Sequence, residues 1–405
     1  MKTELVITGI GVLSAIGQGK ADFSSSLLEG KHSFGQMKRP GRQKEIAFIG
    51  AEIEELIYQD DSVKKRWRRA SLTSQAALLT LMEAWQEAEL DHVPAERIGL
   101  IVGGSNMQQR EMFNIFETYH HKPHFISPTY GISFMDSDVC GWCTEQFNIK
   151  GLACTIGGSS ASGQLAVIQA CEAVLSGQVD ACIALGALMD ISYMECHAFR
   201  SLGAMGTDLY AHQPEEAARP FDQNRDGFIY GENCGAVVIE RKETALKRGI
   251  RPYARLLGWA RAMDGNRNPN PSREGEQRVI QQALGQANLS SKSIDYINPH
   301  GTGSLIGDET ELQALRDCEL THAYINATKS ITGHGLSAAG VVELIATLLQ
   351  MEAGQLHPTR NLQDPMDASF NWVRQEKTAV PIIHSLNLSF GFGGINTAVC
   401  LKNER

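Results

Sequence analysis

Apolar residues fall along this chain in short dense runs rather than in alternation. ELVITGI (4–10), IGLIVGGS (98–105) and VDACIALGALMD (179–190) are almost wholly apolar. Strands with no polar alternation are buried on both faces, which predicts a layered α/β architecture. Further strands are expected over 236–240, 251–262 and 294–298, and two more over 384–402 around the turn Phe390-Gly391-Phe392-Gly393-Gly394. Residues 21–28, 62–90 and 275–288 read as helices. GIGVLSAIG reads as a glycine-rich loop, DGNRNPNPSR (264–273) as a loop, and 106–150, with its aromatic residues and His120, His121 and His124, as a loop-rich surface cap. One pattern occurs twice. At 151–176 and again at 323–352 a short strand enters a turn of small residues and leaves as an apolar helix. The repeat predicts two similar halves, with boundaries at 1–250 and 251–405, whose layers meet at these turns.

Composition narrows the function classes. The chain has 405 residues and a net charge of −9, which argues against a general nucleic-acid binder. Nine cysteines are scattered through apolar segments. Only Cys140 and Cys143 stand as Cys-x-x-Cys, and no second pair follows at zinc spacing, so no metal is expected. Reduced thiols, the absence of a signal-like start and the absence of a membrane-length apolar run point to a cytoplasmic protein with no membrane partner. Against the acidic background, Lys64, Lys65, Arg66, Arg68 and Arg69 form a local basic cluster. Two readings stay open for it, a solvated helix face or a landing patch for an acidic partner.

Chemistry-bearing residues concentrate in four turns: Ser160, His300, the Lys329/His334 pair, and Phe390–Gly394. Small residues before a helix allow close approach of a ligand and aim free N–H groups at it, as a nucleophile or oxyanion site requires. Ser160 lies in Gly158-Ser159-Ser160-Ala161-Ser162-Gly163, so the Gly-x-Ser-x-Gly hydrolase elbow is not met.

The words TGIG from Thr8, RPFDQNRDGF (219–228), NPHGTGS (298–304), GDETE (307–311), ATKSITGHGLSAAG (327–340) and SFGFGG (389–394) run in order along nearly the whole chain. With them the chain resembles the β-ketoacyl-acyl-carrier-protein synthases of the thiolase-like superfamily. The resemblance implies a five-layered αβαβα sandwich of two duplicated halves and a homodimer. It implies catalytic roles for His300, His334 and Lys329, carboxylate support from Glu343 and Glu311, and a gating Phe392 whose backbone N–H serves the oxyanion hole. It places carrier-protein docking at Lys64, Lys65, Arg68 and Arg69.

The departure is the nucleophile. Ser160 stands where the family has cysteine, while Cys154 falls inside the incoming strand and reads as core. An alcohol gives no useful anion near neutral pH without a well-aimed base. Decarboxylation needs no nucleophile, only donors that hold a thioester oxygen as an enolate forms. The expectation is therefore a decarboxylase that turns malonyl- into acetyl-acyl carrier protein without a covalent acyl-enzyme. Ser160 then fills the pocket or donates a hydrogen bond. Such chains resemble the Cys-to-Ser decarboxylases of polyketide β-branching cassettes, which feed an enzyme similar to hydroxymethylglutaryl-CoA synthase. No cofactor is expected beyond the phosphopantetheine arm of the partner carrier protein. The alternatives are a condensing enzyme that uses Ser160, and a non-catalytic subunit like a chain-length factor.

Overall fold

The computed structural model describes residues 3–44 and 46–405. The principal strands are β1 (Leu5–Ser14), β2 (Ile98–Gly103), β3 (Ala153–Ile156), β4 (Ala181–Gly186), β5 (Asn233–Arg241), β6 (Ala254–Met263), β7 (Tyr296–Asn298), β8 (Tyr324–Ile325), β9 (Asn371–Trp372), β10 (His384–Gly391) and β11 (Ile395–Asn403). The helices that matter for the site are α1 (Asp61–Trp67), α2 (Leu72–Glu87), α3 (Gln109–Tyr119), α4 (Ser137–Gln146), α5 (Ser162–Leu175), α6 (Arg273–Ala287), α7 (Leu305–Asp317) and α8 (Ala339–Ala353).

The strands follow the order β9-β8-β7-β10-β11-β6-β1-β5-β4-β2-β3. Outward from the β1–β6 seam the two halves repeat one another. β1 pairs antiparallel with β5, β5 antiparallel with β4, then β4, β2 and β3 run parallel. β6 pairs antiparallel with β11, β11 antiparallel with β10, then β10, β7 and β8 run parallel. The duplicated units of the sequence occupy equivalent places: β3 leads to α5, and β8 leads to α8.

These two helices are the middle layer. α5 packs on β2, β4 and β5, α8 packs on β5 and β10, and each touches the other. α2 and α4 cover the outer face of the first half, and α6 and α7 that of the second. This is the five-layered αβαβα sandwich that the resemblance implies. The central helices are apolar almost all round because they are enclosed on every side. The stretch Leu336–Ala353 is long and apolar enough to cross a membrane, yet 89% of it is buried inside the fold.

Three local expectations are corrected. The glycine-rich run after residue 8 is strand, not loop. α2 lies so close to β1 that a β-carbon on Gly9 would stand 2.4 Å from the Ala84 carbonyl, and one on Gly11 2.0 Å from that of Thr80. Residues 62–90 form two helices rather than one. α1 ends on buried Trp67, and Ser71 opens α2 by accepting the Ser74 N–H at 3.1 Å. The stretch 106–150 is largely helical, through α3 and α4, and of it only Asn106 lines the central cavity. It flanks the β3 edge instead of capping the site, tied there by the Thr155 hydroxyl, which donates to the Asp136 carbonyl at 2.9 Å.

Candidate active site

Ser160 sits in a short turn between β3 and α5. Ser159 takes a left-handed conformation (φ 49°), and the Ser162 hydroxyl accepts from the Gly158 N–H at 2.8 Å and donates to the Ser159 carbonyl at 2.7 Å. These bonds tighten the turn and lift Ser160 in front of α5. That helix has no side-chain N-cap, so its first N–H groups and positive end face forward.

The second half supplies the imidazoles. His334 is held by the backbone of the strand beside it: its N–H donates to Ile229 at 2.7 Å and its carbonyl accepts from Gly231 at 3.1 Å. Its Nε2 lies 3.0 Å from Ser160 Oγ. His300 follows β7, and its ring centroid is 5.5 Å from that of His334, nearly perpendicular to it. Phe228 and Phe390 pack against the two rings.

Behind them stands a buried charged frame. Lys329 bonds both the His300 carbonyl and Glu343. Glu311 accepts the N–H groups of His300 at 2.6 Å and Gly301 at 2.8 Å, one on each oxygen. Asp308 accepts from Phe221, Thr302 and Gly303. Lys329, Glu311 and Glu343 are 2–3% exposed. Thus Lys329, Glu311 and Glu343 fix the His300 loop and hold its imidazole toward the cavity, beside that of His334.

Burial, reinforced by the Lys329 charge, pushes both histidines well below the ordinary imidazole range. Each ring is therefore neutral at neutral pH and carries one N–H. Burial pushes Glu311 up to about 8 against its backbone donors, and Glu343 up to about 7 against the Lys329 ammonium. Neither imidazole has a partner for its buried Nδ1 among the described residues. Among the described residues no carboxylate orients His334 as a base for Ser160, so the third group of a nucleophilic triad is missing there.

Ser160, His300, His334, Glu311 and Phe392 share one cavity of about 470 Å³. Phe392 accepts the Ser159 hydroxyl on its carbonyl at 3.0 Å, and its half-exposed ring faces Phe199 across the entrance. Asp264, Asn268–Pro271, Leu305 and Ile306 form the rest of the mouth. Lys64, Lys65, Arg68 and Arg69 are exposed on and just after α1, outside the cavity lining. Cys154 is half-buried in β3 and does not line the cavity. Motif reading missed Asp308, although GDETE contains it, and missed Glu276, which looked like one more acid on an ordinary helix.

The model described as the N-terminal domain of β-ketoacyl synthase matches residues 2–245, and the one for its C-terminal domain matches 253–363. The chain belongs to the β-ketoacyl synthase family. Within that family it is 66% identical over 400 residues to the polyketide biosynthesis malonyl-ACP decarboxylase PksF of Bacillus subtilis (strain 168), covering 99% of this chain and 96% of that protein. A β-ketoacyl synthase from Burkholderia phymatum STM815 superposes with a TM-score of 0.89 at 26% identity over the whole of both chains. A chain of the structure described as AntDE:AntF (apo), a type II PKS acyl-carrier protein in complex with its ketosynthase bound to the hexaketide, superposes with a TM-score of 0.87 at 26% identity, again over both whole chains.

Proposed function

We propose that this synthase-family chain is a malonyl-acyl carrier protein decarboxylase of polyketide biosynthesis, serving β-branching, that forms acetyl-carrier protein without acylating itself. One observation carries the reading: a serine hydroxyl, 3.0 Å from an imidazole that no carboxylate orients, occupies the nucleophile's turn, while both imidazoles remain. The 66% identity to a malonyl-ACP decarboxylase supports it.

In this mechanism the carrier's arm brings the malonyl thioester past Phe392. The N–H groups of His300 and His334 converge on the thioester oxygen. As CO₂ leaves, charge builds on that oxygen, where donors in a dry pocket act most strongly. Ser160 occupies its turn without becoming acylated, and Lys329, Glu311 and Glu343 keep the imidazoles in register. The arm belongs to the carrier protein, so the reading calls for no other cofactor, and acetyl-carrier protein would pass to an enzyme similar to hydroxymethylglutaryl-CoA synthase. Nine free thiols suit the reducing cytoplasm.

Two partners follow. The AntDE:AntF complex supports an acyl carrier protein as partner, and the exposed cluster Lys64, Lys65, Arg68 and Arg69 would suit a carrier protein of acidic surface. A second copy of the chain is the other. β3 is the outermost strand of the sheet, and the adjoining stretch exposes Phe116, Phe125, Ile132, Phe134 and Met135. An open strand edge beside an apolar patch is the kind of surface a homodimer covers.

The deciding experiment incubates the protein with malonyl-carrier protein and weighs both proteins. Acetyl-carrier protein with unmodified enzyme is expected. A stable ester on Ser160 with chain extension would show condensation instead. Inactivity rescued only by a second synthase-like subunit would show a chain-length-factor-like role, against which the two intact imidazoles stand.

A further inference from the structure

Four carboxyl groups line the central cavity: Asp264, Glu276, Asp308 and Glu311. Three are committed. Asp308 and Glu311 accept backbone N–H groups on both oxygens, and Asp264 accepts the Asn396 amide at 2.7 Å. Glu276 is different. It points from the first turn of α6, is 1% exposed, and its buried Oε2 has no partner among the described residues. A buried polar group without a partner is costly, and its presence in a reaction cavity calls for a use.

The local packing brings Glu276 to its place. α6 starts hard against Asp264: a β-carbon on Gly275 would lie 1.8 Å from Asp264 Oδ1, so a larger residue there would displace that side chain. Asp264, half-exposed in the cavity wall, and the acids Asp308 and Glu311 of α7 share this lining with Glu276, and Glu311 grips the His300 loop.

We propose that the Glu276 carboxyl delivers the proton that turns the enolate into the acetyl methyl group. The proposal rests on the decarboxylase reading above. When the bond between the α-carbon and the carboxylate breaks, CO₂ leaves and the electron pair stays in the enolate. A C–H bond forms at the α-carbon as the Glu276 O–H bond breaks. Glu276 is left as a carboxylate and regains a proton from solvent water by way of Asp264. One proton is consumed per turnover, as the overall reaction requires. Burial and the neighbouring carboxyls Glu311, Asp264 and Asp308 hold Glu276 well above the ordinary carboxylate range, so it waits in the protonated form. A positioned general acid contributes about 10²–10⁴ in rate.

The test uses malonyl-pantetheine thioester in a mixture of equal parts H₂O and D₂O, with short reactions that outrun exchange of the substrate methylene. Two quantities are read: kcat, and the H/D ratio of the new methyl C–H by mass. For Glu276→Gln, kcat should fall tenfold or more with KM unchanged, and the H/D ratio should move away from that of the unaltered protein as water becomes the donor. A moved ratio at unchanged kcat also supports the proposal and places proton transfer after the slow step. An unmoved ratio overturns it, whatever happens to kcat. Glu276→Met carries the same arms if the Gln variant does not fold, because no hydrogen bond of Oε2 is lost. Absence of acetyl product with the unaltered protein would instead bring down the decarboxylase reading, and this proposal with it.

Discussion

The same backbone unit is used twice, and the two copies do opposite work. In the first half β3 runs through the Ser160 turn into α5. In the second, β8 runs through the turn of Lys329 and His334 into α8. The first turn is half-buried and carries only small hydroxyls, while in the second Lys329 and His334 are each 3% exposed and Lys329 meets Glu343 in an ion pair. The strands differ as well: β8 is covered by β9, whereas β3 is the free edge of the sheet. A duplicated scaffold thus keeps its charged and donor groups in the enclosed copy and leaves the nucleophile position to the open one. Charge and directed donors gain strength where water is excluded.

This contrast can be broken from either side. Removing a donor from the enclosed copy should cost most. His334→Ala, and His300→Ala beside it, are each expected to lower acetyl-carrier formation about 10²–10³-fold, or about 2.7–4 kcal/mol, followed by carrier mass against time. At the open edge, Phe134→Asp with Met135→Asp should convert a dimer to a monomer in sedimentation experiments, because charges would be buried in the contact. An unchanged sedimentation profile would free that patch from the interface. Reversing Arg68 and Arg69 to Glu should raise KM for carrier-bound malonyl about tenfold at low salt, less at high salt, and leave malonyl-pantetheine untouched. Equal loss on both substrates would make the cluster structural. Ser160→Ala in the open copy should change CO₂ release only a few-fold. A loss as deep as that of the histidine variants would place covalent chemistry on Ser160.

The enclosed copy also predicts a pH dependence of stability. Glu311 and Glu343 have folded-state values of about 8 and about 7, above their usual 4.5, so the fold holds these protons more tightly than the unfolded chain does. Their contribution is complete below about 4.5 and is lost as pH rises through 7 and 8. The histidines act on the other side, since values below 6.5 withdraw stability as pH falls beneath that point. Thermal melts should therefore fall as pH rises from about 6.5 to about 8, where only these carboxyls differ between folded and unfolded chain, while below 6.5 the histidines oppose that trend. Glu311→Gln should flatten the alkaline limb alone.

Much of the site was legible because its residues sit in contiguous words. His300, Glu311, Lys329, His334 and Glu343 lie in runs where turn and helix chemistry are written side by side, and the fold brings them into contact. Glycine was harder to read. Gly9 and Gly11 signal a loop by local chemistry but serve the approach of α2, a helix some sixty residues away. Glu276 was invisible for the same kind of reason. Nothing in its helix marks it as buried until α7 and the Asp264 loop close over it.

The sequence by itself determined the layers, the duplication and the replacement of a thiol by a hydroxyl, since apolar runs, repeated turns and side-chain chemistry are local properties of the chain. Tertiary structure alone decided that Ser160 touches His334 across 174 residues and, among the described residues, that no carboxylate bonds that imidazole and that one uncommitted acid opens on the cavity. Those facts depend on which distant groups share a dry space, and only packing brings such groups together.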